Sequence, residues 1–124
     1  MSLTPEQTER VLSLALDLAR AGETEQLEEF LDHGVPVNAV SESGDSLLML
    51  AAYHDRPDTV NMLLDRGADP DLRNARDQSI VAGAMFKGAD EVVRRLVGAG
   101  ADLDAGTPTA RQAAEMFGRG GLLT

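Results

Sequence analysis

A fixed internal period of 33 residues constrains this chain more than any other feature of its sequence. Gly34, Gly67 and Gly100 recur at that spacing, and the same offset superimposes Leu31 on Leu64 and Val97, and Leu27 on Val60 and Val93. The segments after the glycines also match: Gly34-Val35-Pro36-Val37-Asn38, Gly67-Ala68-Asp69-Pro70-Asp71 and Gly100-Ala101-Asp102-Leu103-Asp104. Earlier in each unit, Ala19-Arg20-Ala21-Gly22, Ala52-Tyr53-His54-Asp55 and Met85-Phe86-Lys87-Gly88 fall in register and mark a second recurring turn. A unit of this length cannot bury its apolar faces alone, so neighbours must stack and seal one another.

Between the turns the apolar pattern is helical. In the middle unit Leu47, Leu48, Leu50, Ala51 and Ala52 form a broad apolar face, a break falls near Asp55 to Pro57, and a second helix carries Val60, Met62, Leu63 and Leu64. Gly22 and Gly88 accept the left-handed backbone that ends a first helix, and Asp55 is among the few side chains that tolerate it. Position 55 is therefore expected to be the most strained of the three. The Asp/Asn/Pro-rich stretch after each second helix suits a projecting turn. The expected fold class is all-α, a solenoid of stacked helix-turn-helix units with short hairpin fingers.

Period, helix pair and finger together resemble the ankyrin repeat family, in particular small proteins of bacterial type. The strongest match runs from Gly44-Asp45-Ser46-Leu47 through Ala68-Asp69-Pro70-Asp71, and a looser second unit runs from Asp77 to Asp104. The resemblance implies one domain over 1–124, with an N-terminal capping unit at 4–38, full units at 39–71 and 72–104, and a C-terminal half unit at 105–124. Thr4-Pro5-Glu6 reads as an N-cap with proline at the first helical position. Thr109 to Gly118 resembles a first helix reached by a shortened turn, with no second full helix after it. Both end units are expected to turn polar faces outward. Leu47 and Ile80 stand at the family's usual Pro position, and Met49 and Ala82 at its usual His position, so the side-chain hydrogen bonds at those helix starts are expected to be missing. Gly83 lies inside a helix at a cost of about 0.5–1 kcal/mol, which marks the third unit's first helix as the weakest element.

Composition narrows the function classes. Aromatic residues make up 3% of the chain and there is no Trp, so the core rests on Leu, Val, Ala and Met. Without cysteine there is no disulfide, thiolate metal site or Cys nucleophile. A net charge of −10 repels phosphate backbones and anionic lipid, so neither nucleic acid nor membrane is an expected partner. Residues 1–65 carry 13 acidic and 3 basic side chains, and residues 66–124 carry 8 of each. That acidic half either solubilises the chain or steers a basic partner. Met1 to Ala21 contains Glu6, Glu9 and Asp17 and has no secretory pattern, and no run of about 18 apolar residues occurs. A cytoplasmic monomer is expected.

Reactive constellations are sparse. His33 and His54 occupy different places in the register, which disfavours a shared metal site. His54, Asp55 and Ser46 hint at a triad, but no Gly-x-Ser-x-Gly elbow exposes the serine. Asp65, Asp69, Asp71 and Asn74 lack the glycine and closing glutamate of a calcium loop, with Arg76 at the closing position. The glycines at 98–100 and 118–121 read as a helix end and a tail, since no strand precedes them. Glu25, Glu28, Glu29 and Asp32 read as a solvated helix face. No catalytic residue, cofactor or metal is assigned.

The family resemblance instead implies recognition of another protein along a concave face built from finger turns and first-helix ends. Carried onto this sequence, the finger positions are Val40, Glu42, Ser43 and Asp45, then Arg73, Ala75, Arg76 and Gln78. The helix-end positions are Arg20 and Ala21, Tyr53 and His54, and Phe86 and Lys87. Arg20, Tyr53 and Phe86 share the 33-residue spacing and are expected to form a ladder. Arg and aromatic residues are enriched in binding hot spots. Phe30 and Phe117 are expected in the core. Three functions follow: a non-enzymatic binding module centred on Tyr53 and Phe86, an acidic inhibitor or immunity-like protein that blocks a basic enzyme surface, and, remotely, a small hydrolase using His54.

Overall fold

The computed structural model describes residues 3–123, which hold seven α-helices, one 3-10 helix and no strand. Helices α1 (Pro5–Ala21), α3 (Leu47–Tyr53), α5 (Ile80–Phe86) and α7 (Ala110–Phe117) stack side by side as an inner layer. Helices α2 (Thr24–Asp32), α4 (Pro57–Asp65) and α6 (Asp90–Gly98) form an outer layer, closed by the 3-10 helix Gly120–Leu123 against α6 and α7. The fold is the all-α solenoid of helix pairs that the period implies. Its one β feature is an isolated antiparallel bridge between Val40 and Ser46 at the root of the first finger.

Local chemistry sets the helix limits. Ser46, Ser79 and Thr109 precede three inner helices, and their hydroxyls accept from the amides of Met49 (3.0 Å), Ala82 (3.1 Å) and Gln112 (3.1 Å). Each cap satisfies one of the donors that a helix start leaves unpaired. The expected loss of side-chain hydrogen bonds at the starts of α3 and α5 is thereby corrected, because the serines supply them. The inner helices end where Gly22, Asp55 and Gly88 take φ of 76°, 54° and 69°. The next amide in each case, Glu23, Arg56 or Ala89, donates back to Leu18, Ala51 or Ala84. Asp55 alone holds that conformation without a glycine, and Asp77 (φ 59°) joins it at the second finger.

Neighbouring units are tied by seams that repeat with the sequence. On the outer layer Arg66 of the second unit reaches Glu28 and Asp32 of the first, and Arg95 of the third reaches Asn61 (3.0 Å) and Asp65 (2.9 Å) of the second. Arg119 pairs in the same backward sense with Asp90. In the fingers, Asn38 Oδ1 accepts from the Asp69 amide (2.8 Å) and Asp71 Oδ1 from the Asp102 amide (2.6 Å). Beneath these runs one core, including Leu27, Leu48, Leu63, Met85 and Leu96.

The two ends differ. At the C-terminal end α7 buries Ala110, Ala113 and Ala114 and exposes Arg111, Gln112 and Glu115, with Met116 exposed among them. At the N-terminal end apolar side chains share the surface with polar ones: Leu3 and Leu14 are exposed, as are Glu6, Glu9, Arg10 and Asp17, and Val11, Leu18 and Phe30 are only partly buried. Phe30 packs against the core as expected, but Phe117 lies on the surface, a correction to its expected burial.

Gly83 also needs a different account. A Cβ built there would meet Tyr53 Cε1 at 1.7 Å, so the glycine is the seat of the Tyr53 ring from the preceding unit. The same phenol donates to the Ser79 carbonyl at 3.2 Å. Alanine would favour the helix by up to about 1 kcal/mol, whereas overpacking costs about 1–3 kcal/mol. Gly83→Ala should therefore destabilise the chain, with a lower urea midpoint. Combined with Tyr53→Ala, the same substitution should become stabilising, and this sign reversal is the check.

Candidate protein-binding surface

The inner helices end on one side of the stack, and the finger turns project beside them. Residues Glu9 to Arg20 of α1 and Val40 to Ser43 of the first finger face each other across an open groove. Further along, Tyr53, Gly83 and Phe86 share a narrow cleft with Gln78 and with Thr107 and Pro108 of the third finger. The first depression thus groups Arg20 with Val40, Glu42 and Ser43, and the second groups Tyr53 and Phe86 with Gln78, while Asp45, His54, Arg73, Arg76 and Lys87 line neither.

Individual residues divide by what already occupies them. Arg20 is exposed but paired with Asp17 (2.6 Å). Asp45 accepts from Asn74 Nδ2 (2.9 Å), Gln78 accepts from the same amide (2.7 Å), and Arg73 pairs with Asp77 (2.8 Å). The Ser43 carbonyl accepts from the Ala75 amide at 2.8 Å. The Asp45–Asn74 and Ser43–Ala75 bonds fix finger against finger, and the Asn74–Gln78 and Arg73–Asp77 contacts brace the second finger internally. Val40, Glu42, Arg76 and Lys87 are exposed, and the last three make no ion pair among the described residues. His54 is exposed with its Nδ1 against the Leu50 carbonyl at 2.9 Å, which fixes the proton on that nitrogen. Ala21 is exposed beside Arg20.

The ladder is uneven. Tyr53 is turned along the stack into the next unit and is only partly accessible, while Phe86 is 46% exposed. Phe86 meets Phe117 edge to face, with ring centroids 5.2 Å apart and planes at 88°. Phe117 is 44% exposed and its neighbour Met116 still more open. Counting back from the left-handed residue that ends each inner helix places Met116 in register with Arg20, Tyr53 and Phe86. Counting by the strict period misses it, because the last turn is shorter. Asn74 was also not anticipated as an organiser: its Oδ1 accepts from the amides of Arg76 and Gln78, both at 3.0 Å. The Asn at the start of a tight turn was the available signal.

No reactive centre is assembled from the titratable groups considered in the sequence. Ser46 caps the start of α3 and His54 follows its end, roughly 12 Å apart by helical rise. Among the described residues no group of three His, Cys, Asp or Glu side chains is placed to hold a metal, and no helix is long and apolar enough to cross a membrane.

Burial pushes the Tyr53 phenol up to about 12; the Asp45 charge adds to the rise and Arg76 opposes it. Charges from two fingers thus act on an inner-helix ring. The fold favours the protonated phenol, so this stabilisation is complete below the ordinary value of 10.0 and is lost as pH rises toward about 12. Tyr53 is the chain's single tyrosine, so phenolate absorbance should titrate with a midpoint near 12 in the folded protein, and unfolding should ease over that interval. A midpoint at the ordinary value would contradict the burial.

Comparison with known proteins agrees with this architecture. A family model described as ankyrin repeats in three copies matches residues 11–74. An ankyrin repeat protein of Pseudomonas aeruginosa is 45% identical over 56 residues, covering 45% of this chain and 33% of the relative. The ankyrin repeat domain-containing protein SAT10 of Stachybotrys chartarum is 33% identical over 104 residues, 83% of this chain and 5% of the relative. The inactive serine/threonine-protein kinase TEX14 of Mus musculus is 34% identical over 87 residues, 70% of this chain and 6% of the relative. The chain spans a third or less of the length of these relatives. With its helix pairs, finger turns and period all in register, the chain belongs to the ankyrin repeat family.

Proposed function

We propose that this chain is a non-enzymatic module that holds a partner protein along its concave face, with Phe86 and Phe117 as the apolar anchor. Ankyrin repeats as a family are protein-interaction modules. The observation that carries the reading is the edge-to-face pair itself. Two of the chain's four aromatic rings stand exposed together on the wall where the inner helices end, in a protein whose core uses almost none. Exposed aromatics that sit rigidly against each other offer large contact area at small entropic cost, as binding hot spots do. Met116, next to Phe117 in the chain, is more exposed still, and the exposed Lys87 follows Phe86 directly. Tyr53 becomes a supporting residue that fixes α3 against α5.

The test is a partner captured from the native cell by the purified chain and then titrated against variants. Phe86→Ala with Phe117→Ala should cost the folded chain the roughly 0.5–1.5 kcal/mol of an aromatic pair together with the burial of two half-exposed rings, and leave it folded. The same double substitution should weaken partner binding by about 2 kcal/mol or more, the hot-spot range. Unchanged affinity, read by calorimetry, would remove this surface from consideration.

A further inference from the structure

The N-terminal end of the stack carries a second surface that the aromatic patch does not explain. Between the start of α1, the end of α2 and the root of the first finger lies an apolar groove of about 300 Å³, walled by Leu3, Val11, Leu12, Val35, Pro36 and Val40. Leu3 is 56% and Val40 41% exposed, so the groove is open to solvent rather than part of the core. Leu12 and Val40 also line the adjoining groove that contains Glu9 and Glu42, and Val11 and Val35 adjoin Glu29 on the other side. These three carboxylates form no ion pair among the described residues. Arg20, the cation beside them, is held by Asp17, and His33 has its Nδ1 against the Glu29 carbonyl.

We propose that this groove takes a segment of a partner protein that presents an aliphatic or aromatic anchor flanked by lysine or arginine. The proposal rests on the protein-binding reading above and adds to it a site and a partner chemistry. The apolar walls require an apolar insertion, since the groove offers few polar atoms and a volume at the small end for ligand sites. The carboxylates around it select the sign of the flanking charge. A second copy of this chain fits poorly: residues 1–43 carry nine acidic and two basic side chains, so two such ends would bring like charges together. A head-to-tail stack fits poorly as well, because the opposite end sets Met116 among Arg111, Gln112 and Glu115, and its exposed cation Arg111 is already paired with Asp104. A basic segment with an apolar anchor satisfies both the walls and the charge.

The experiment pans a displayed library of random peptides against the full chain at low ionic strength, then synthesises the enriched peptides. Enriched sequences should combine Lys or Arg with Leu, Ile or Phe, and should lose affinity as salt is added. Leu3→Ser with Val40→Ser should weaken binding about tenfold, Glu9→Gln with Glu42→Gln should reduce both affinity and salt sensitivity, and Arg94→Gln on the outer layer should leave it unchanged. Amide resonances of Val11, Val35 and Ala39 in the unsubstituted protein should shift on peptide addition, a readout independent of whether any variant folds. The proposal is overturned if no peptide is enriched, if acidic peptides are, or if a concentration-dependent dimer occupies the groove. It is equally overturned if the shifts fall on Phe86 and Phe117, an outcome that would leave the concave-face reading standing.

Discussion

Mutual burial of inner helices is the interaction on which this structure depends. Six of the seven residues of α3 are buried, and α5 is of the same length. Helices this short do not persist in water, because nucleation is unfavourable and only a few hydrogen bonds follow it. They form here because α1 and α5 cover the two flanks of α3, and α3 and α7 cover those of α5. The constant period matters for that reason: it delivers each apolar set at the same height and angle as the one before. Arginine seams and finger carboxylates hold the register, but as exposed or half-exposed polar contacts they add modestly to stability.

Much of this was legible in the sequence because periodic features repeat their physics. A glycine that ends a helix in one unit marks the same place in the next, although the serine caps before α3 and α5 escaped that reading. The helix pairs, the finger turns and the left-handed Asp55 followed directly. The concave binding face was an expectation that came only through the family resemblance. What the sequence hid were contacts between units. Nothing in the spacing of Tyr53 and Gly83 says that one ring fills the other's missing side chain, so a glycine that serves packing reads as a helix defect. Phe117 was misjudged for a related reason: its apolar neighbours on α7 are alanines facing inward, while it sits on the turn beyond them.

The departure at the N-terminal end has the same origin. Capping units are recognised by where the repeat pattern stops, but stopping does not specify polarity. The last unit closes with Arg111, Gln112 and Glu115 around an exposed Met116, whereas the first leaves leucine and valine at the surface under a rim of carboxylates. The concave wall and this end groove share Leu12 and Val40 at their margin, so they form neighbouring parts of one continuous surface. Along it the character changes from acidic and aliphatic near α1 to aromatic and cationic near α7. An extended partner lying along the stack would meet the two chemistries in a fixed order, and its direction of binding would follow from its own charge sequence.

The fit of Tyr53 over Gly83 bears on how such a protein can be recombined. A solenoid invites the view that each 33-residue cassette is exchangeable. Here the cavity belongs to one cassette and the ring that fills it to another, so transplanting either alone leaves a hole or a collision. The natural cut for shuffling pieces between relatives lies outside that joint, and the smallest portable block of this chain is a pair.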